Sequence, residues 1–561
     1  MEQTKIKGRT RAQESSNAIE RLYISMRHLF SRGFYKPMGV SGETLRQALL
    51  LLRPEIYGSI AEEKVELSGL VYVIDRLPIG IEECRFISLT ADEGYAQSHF
   101  QKIVPPKRRR NCYRIDKDQM NIEVTRGRSE IYDILTHLTF LFIESHKIAD
   151  KVLIDGGKDT IREWKKLEDI VLHNRKLSKD DCDIALAHLG SILGRTFEEI
   201  KNTYQELGRE DNPDRFFQII YWLGHLAIEE KVHNLKRTIT FSPVLRERIG
   251  HHIYGEIWAN NLKKVLRTLK IADRPIHIIS ANMHSVMNAV YAPVLFDKTG
   301  SNEDHMALFE RLSQEKNHQL RKQVKEQAAN NGLYDIKDHS GTNIDVQIID
   351  TAKIKEGSTI FDYKNSLKEG KPVIIVMDYA FGEQAYETMD ELLKPYTLAN
   401  GDKHYLNVAS ISIMGKAGIL EGAKGDIMIP SAHIFEGTAD NYPFKNELDK
   451  DLFKDCGVSV YSGAMVTVLG TSLQNKDILK FFYDSTWKVT GLEMEGAHYQ
   501  KAIQAASKIR GNIADKVKVR YAYYASDNPL ETGSTLASGG LGTTGVRPTY
   551  VITQKILEQI F

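Results

Sequence analysis

Cysteine is scarce in this chain. Four occur in 561 residues, Cys84, Cys112, Cys182 and Cys456, and no two of them form a CxxC pair. That spacing argues against a disulfide scaffold and against a zinc ribbon. An excess of charge of either sign is also lacking. Lys and Arg total 75 against 74 Asp and Glu, a formal net charge of +1, so no long-range field recommends nucleic acid or a membrane surface as a partner. No apolar run approaches the roughly 20 residues that span a bilayer. The opening stretch MEQTKIKGRTRAQESSN has no apolar core of the kind a secretory signal needs, and a cytoplasmic chain is the expectation. What remains is ordinary globular composition, 42% hydrophobic and 27% charged, at a length that suggests two to four domains.

Two local features invite a ligand and are given the plainer reading. The basic run PPKRRR, Pro105 to Arg110, is expected to be a solvated polar loop rather than a polyanion site, since such clusters are common on ordinary surfaces. The histidines suggest a metal, but His137 and His146 are nine residues apart and lie about 180° apart on one helix. His251 and His252 are adjacent and also diverge. Ligands must converge on one point, so no metal is expected.

The first 270 residues are mainly helical in pattern. SSNAIERLYISMRHLF offers Ser and Asn as caps and then spaces Ile19, Leu22, Ile24 and Met26 on a broad apolar face. SGETLRQALLLLRPEIYG predicts a helix stopped near Pro54, and SGLVYVID and CRFISLTA read as a short strand-like insertion. Further helices are expected in RSEIYDILTHLTFLFIESHKIADKVL, DCDIALAHLGSILGRTFEEIKNTYQEL and PDRFFQIIYWLGHLAIEEKVHNLKR.

After Ile271 to Pro275 the pattern changes. IHIISA, IDVQIID, KPVIIVMDYA, YLNVASISIMG, DIMIPSA, VSVYSGAMVTVLG and VKVRYAYYASD are short, continuous apolar runs, several leading into helical patterns. Buried strands alternating with helices predict an α/β domain over 271–561 with a central, largely parallel or mixed sheet flanked by helices. A charged helical excursion is expected near 300–335. Domain 1–270 gives an architecture but no chemistry of its own.

In α/β sheets ligands tend to sit beyond the carboxyl ends of strands, and three such places carry unusual residues. One is Gly415-Lys416-Ala417-Gly418, read as a turn where backbone can approach a ligand or simply a tight connection between strands. The second is Ser526-Asp527, followed by Pro529. The third is TGLEMEGAHYQ, where Glu493 and Glu495 bracket Met494 as a possible strand gives way to a helix.

These segments, in this order, resemble the nucleoside phosphorylase and nucleosidase superfamily: a Gly-rich turn, a "GD" strand (Gly425-Asp426-Ile427-Met428-Ile429-Pro430), a "MEG" helix start (Met494-Glu495-Gly496) and a strand-terminal "SD" (Ser526-Asp527). Within it the chain is most similar to the bacterial AMP nucleosidases, through MDYAFGEQAYETMDELL, GDIMIPSAHIFEG, SGAMVTVLGTSLQNKD and SDNPLETG. The likeness covers roughly 340–561. It implies Asp527 as the acid at the purine, Glu495 as acceptor of the ribose 2′- and 3′-hydroxyls, and Met494 against the sugar face. It also implies Val468 and Leu469 along the base, with Ser526, Gly415, Lys416, His284 and Ser285 completing the substrate contacts. Glu493 is expected to be structural or solvated.

There are departures from the pattern. The first loop, SANMHSVMNAV, offers Asn282, His284 and Ser285 but neither the phosphate-binding arginine of phosphorylases nor the water-activating glutamate of small nucleosidases. Lys416 stands where several relatives carry arginine. The tail STLASGGLGTTGVRPTYV, whose only cation is Arg547, reads as a connector or lid rather than a phosphate-cradling loop. The resemblance therefore implies cleavage of the N-glycosidic bond of a purine nucleotide or nucleoside, with AMP hydrolysis first and phosphorolysis, with inorganic phosphate as co-substrate, second. A third reading is a nucleotide-binding sensor with weak or no catalysis. No cofactor is implied, and a homo-oligomer is expected.

Overall fold

The computed structural model describes residues 10–173, 175, 177–297, 304–361, 370–398, 400–438, 440–531 and 542–561. Cα packing divides the chain into two compact units, Met1–His251 with Ser472–Ile478, and His252–Thr471 with Leu479–Phe561. The second unit thus begins ahead of the change of pattern near 270, because the helix Ile253–Thr268 buries Trp258, Leu262 and Leu266 in that unit's core.

The first unit is built mainly of helices and also carries a six-stranded sheet, ordered Phe34–Tyr35, Thr238–Phe241, Phe86–Thr90, Gln119–Glu123, Cys112–Asp116, Lys102–Ile103. Its first helix, Arg11–Arg32, starts four residues before the Ser-Ser-Asn expected to cap it. A Thr10/Gln13 capping box satisfies the early amides there. Ile19, Leu22 and Met26 are buried, but Ile24 is 58% exposed, since five residues from Ile19 is out of phase with a 3.6-residue turn. SGLVYVID is not a strand but the helix Leu67–Ile74, whose start is fixed by Glu66 accepting from Ser68 N and Gly69 N. A short apolar run buried on most sides has no periodicity with which to distinguish the two.

The PPKRRR run is not a solvated loop throughout. Arg110 is 5% exposed, and both Arg108 and Arg110 donate to Asp133 on the helix Gly127–Val152, at 2.9 to 3.1 Å. Burial would raise the Asp133 carboxyl, yet the His137 imidazole and the Arg108 guanidinium hold it well below the usual range. His137 bonds Tyr57 and His146 bonds Glu230, so each histidine is occupied within the core.

The second unit is α/β. Its strands are β1 (Ile276–Ser280), β2 (Leu333–Ile336), β3 (Val346–Asp350), β4 (Val373–Met377), β5 (Val408–Ile419), β6 (Ile427–Phe435), β7 (Asn441–Pro443), β8 (Val460–Thr467), β9 (Val489–Glu493) and β10 (Lys518–Asp527). They form one mixed sheet in the order β2-β3-β4-β1-β5-β9-β8-β6-β7, with β10 paired to both β5 and β6. Pairing is parallel for β4/β1, β1/β5, β5/β10, β6/β8 and β8/β9, and antiparallel at β2/β3, β3/β4 and β6/β7.

Alternate strand residues feed two separate cores: Ile278, Ile411, Ile413 and Tyr521 one side, Ile279, Met414 and Ala522 the other. Burial on both faces is why these strands read as unbroken apolar runs. Four helices border the strand ends that carry the candidate residues: α1 (Met283–Asp297), α2 (His318–Ala329), α3 (Gly496–Gln504) and α4 (Val546–Glu558). The excursion between β1 and β2 is helical over His305–Ser313 and α2, while 300–303 lie outside the described residues.

Candidate active site

The long strand β5 decides where the site lies. Gly415-Lys416-Ala417-Gly418 is not a turn: β5 runs on through it, in parallel register with β10 at Gly415/Tyr523, Lys416/Tyr524 and Ala417/Ala525, and an irregularity falls between Ala417 and Gly418. Beyond it Gly418 and Ile419 pair antiparallel with β9. β5 therefore carries Lys416 past the ends of β1 and β4. The space left between β5, the Tyr379–Phe381 turn after β4, the β9/α3 junction and the end of β10 is a cavity of 310 Å³, within the range of small-molecule sites.

The two glutamates of TGLEMEGAHYQ have different structural settings. Glu493 closes β9 and is 5% exposed. Its carboxyl accepts from the Thr467 hydroxyl and from the backbone amides of Glu495 and Gly496, holding the start of α3. Burial pushes its pKa up to about 7 against the lowering effect of those donors. Gly496 follows because a Cβ there would collide with the His433 ring. Glu495 is the N-cap residue of α3, half-buried, and lines the cavity. Its Oε1 accepts from Gly382 N at 2.8 Å. Burial first, and then the neighbouring Glu493, push its pKa up to about 8.

Of the other residues singled out from sequence, Met494, Val468, Gly415, Lys416 and Ser526 line this same cavity. Asp527 and Leu469 do not. Asp527 is one strand position beyond Ser526, whose hydroxyl lies 2.5 Å from Asp527 Oδ1 and 3.0 Å from Ala417 O. Asp527 Oδ2 is buried with no partner among the described residues, and burial raises the carboxyl's pKa despite the Ser526 hydrogen bond and the charges of Lys416 and Lys424. Leu469 N donates to the buried Glu436, itself pushed up to about 8 by burial.

His284 and Ser285 stand elsewhere. They line a second cavity, of 550 Å³, which shares only Tyr524 with the first. Arg547 is on neither wall and donates to Cys456 O at 3.2 Å. The expected lid segment at 534–541 lies outside the described residues.

Sequence reading missed the aromatic wall: Tyr379, Phe381, Tyr499, Tyr523 and Tyr524. The signal existed for two of them, since YAYYASD packs aromatics onto the strand that ends in Ser-Asp. Tyr499 lies one turn after Glu495, with its hydroxyl 3.0 Å from Ser280 Oγ. Among the described residues no group of three or more His, Cys, Asp or Glu is placed to hold a metal, and no helix is long and apolar enough to cross a membrane.

No curated protein matches the chain. Among solved structures it is similar to the 5′-methylthioadenosine/S-adenosylhomocysteine nucleosidase of Campylobacter jejuni, at 11% identity over 51% of this chain and 99% of that one, TM-score 0.30. Another is the futalosine hydrolase of Helicobacter pylori, at 13% identity over 51% and 98%, TM-score 0.31. A third is isoform 2 of uridine phosphorylase from Schistosoma mansoni, at 11% identity over 55% and 92%, TM-score 0.28. A family profile matches residues 43–300 and 299–561, nearly the whole length, and the chain belongs to that family, the family of unknown function DUF6909.

Proposed function

We propose that the 310 Å³ cavity of the second unit binds a purine ribonucleoside or its 5′-monophosphate and cleaves the N-glycosidic bond. One observation carries the reading: Met494-Glu495 from a helix start, Lys416 from mid-strand and Ser526 from a strand end, far apart in the chain, face one space of nucleoside size. Glu495 accepts the two ribose hydroxyls. A carboxylate there favours the cationic sugar that forms as the bond breaks, and the aromatic wall offers flat apolar faces for the base. The C1′–N9 electron pair leaves with the base, the Ser526 hydroxyl on the cavity wall gives its proton to N7 and takes one from Asp527 behind it, and water adds to C1′, its released proton returning to Asp527 through solvent. Burial keeps the Asp527 proton available at a higher pH than an ordinary aspartate would.

AMP hydrolysis is the preferred version. Phosphorolysis is second and is favoured by Lys416, an exposed cation on the cavity wall that suits inorganic phosphate as co-substrate. Incubating the full chain with AMP, adenosine and inosine, with and without phosphate, and measuring free base separates them. Base release from AMP without phosphate supports hydrolysis, and release that needs phosphate supports phosphorolysis. Tight nucleotide binding with no base released from any of the three leaves a sensor and removes the enzymatic reading.

A further inference from the structure

The second cavity has a different chemistry from the first. Two helix starts open onto it. Ser285 and His284 belong to the first turn of α1, and Gly545, Val546 and Thr549 to the start of α4. A 3-10 turn, Gly542–Gly545, runs directly into α4, and Gly545, its N-cap residue, supplies no side-chain hydrogen bond, so this stretch of helical backbone on the cavity wall carries no side-chain cap. The excursion adds a guanidinium from α2. Arg321 donates to Leu312 O, Gln314 O and Glu315 O at 2.6 to 3.1 Å. Its partners among the described residues are backbone carbonyls, which fix the group in place and leave its charge uncompensated. Glu315 is the acidic member of the wall and is exposed.

Independently of the helix starts, Asn288 also lines the cavity. It is 3% exposed; its Nδ2 is 2.8 Å from the Tyr550 hydroxyl, and its Oδ1 has no partner. A half-turn of the amide, which exchanges two nearly isosteric groups, lets the Tyr550 hydroxyl donate to Oδ1 and offers Nδ2 to the cavity. A buried amide group left without a partner costs free energy, and a ligand acceptor at this point satisfies it.

We infer that this second cavity is an oxyanion site of the phosphate class, held by Arg321, Asn288 and the start of α4. It is separate from Lys416 in the first cavity and does not depend on glycosidic cleavage. The ion is either inorganic phosphate or a phosphomonoester group borne by the ligand of the first cavity.

Calorimetry of the full chain with inorganic phosphate, against chloride at equal ionic strength, tests it. Saturable binding is expected, weakened at least tenfold in Arg321→Met and in Asn288→Asp, which places a carboxylate where the donor is needed, while Lys416→Gln removes only what phosphate the first cavity holds and leaves this binding step in place. Thermal unfolding of each variant confirms that it is folded, and if Asn288→Asp is not, Arg321→Met decides. Titrating phosphate into AMP-saturated protein separates the sources: competition with AMP and none with adenosine assigns the site to the nucleotide's own phosphate, and simultaneous binding assigns it to the free ion. No phosphate binding to the parent protein, or binding lost in Lys416→Gln and intact in both other variants, overturns the inference. Neither result bears on whether the first cavity cleaves ribosides.

Discussion

The two cavities of the second unit share Tyr524 and differ in almost everything else. The first is walled by tyrosines, by Met494 and by the Glu493/Glu495 pair, so burial raises both carboxyl pKa values there and the Glu493 charge adds to that of Glu495. The second is walled by two helix starts, an arginine, an amide and the exposed Glu315. One sheet end can carry both because β5 runs past its neighbours while α1 and α4 start on the opposite core. In the roles proposed above, a single sheet end offers a site for a developing cation beside a site for an anion. A nucleoside monophosphate presents both.

The predictions press on that difference, beginning with the largest effect. Asp527→Asn keeps the shape of the strand end and removes the proton, so base release is expected to fall by about two orders of magnitude or more, what loss of a positioned acid costs. Unchanged turnover in the folded variant removes Asp527 from the mechanism.

Glu495→Ala is expected to weaken adenosine binding by about tenfold or more, the scale of lost hydrogen bonds to a charged group, with little effect on free adenine. Equal losses for riboside and base would show that Glu495 does not read the sugar.

The pH dependence comes from the raised carboxyl. Glu495 must ionise to accept two hydroxyls, and its pKa in the free protein is about 8. Riboside affinity should therefore rise with pH up to about 8, approaching tenfold per pH unit for one coupled proton. Stability has the opposite sign. Between the ordinary 4.5 and about 8 the folded chain holds a proton that the unfolded chain releases, so this group makes stability fall as pH rises through that window. Glu495→Gln should flatten both curves, and an affinity that is level from pH 6 to 8 would contradict the assignment.

AMP is expected to bind roughly tenfold more tightly than adenosine, from charge-assisted hydrogen bonds to the phosphate. Equal affinities in calorimetry would detach the proposed oxyanion site from the ligand of the first cavity.

The smallest effect separates the two glutamates. Glu493→Ala removes acceptors from Thr467 and from two amides at the start of α3, so a loss of about 1–3 kcal/mol in stability is expected even where riboside contacts survive. Urea unfolding reads it. A variant as stable as the parent would show that Glu493 does not hold the helix start.

Much of the second unit was legible in the sequence. The short apolar runs after Pro275 each became a strand, since burial on both faces leaves an unmistakable run of Val, Ile and Tyr. Met494-Glu495-Gly496 was legible as a helix start through its resemblance to a family motif, whereas the need for glycine there comes from the His433 ring on strand β6. Other features depended on distant parts of the chain. Whether Gly415 to Gly418 turned or ran on was settled by pairing with β10, far along the chain. Glu493 was expected to be structural or solvated; it closes a strand, and its structural role comes from Thr467 on another strand. PPKRRR read as solvent-facing because charge density is local, while Asp133, which pairs with two of its arginines, is not. His284, Ser285 and Lys416 were expected among one set of substrate contacts, and the structure parts them between two cavities.

The sequence alone thus determined the α/β character of the second unit, its strands and the chemical types gathered at their ends, because burial and backbone propensity act over a few residues. Tertiary structure decided which of those ends share a cavity, which carboxyl braces a helix and which is bonded to the turn after β4, and where Arg321 joins a cavity wall. Those outcomes depend on strand order, register and the path of an excursion, which bring together groups whose separation along the chain carries no record of their distance in space.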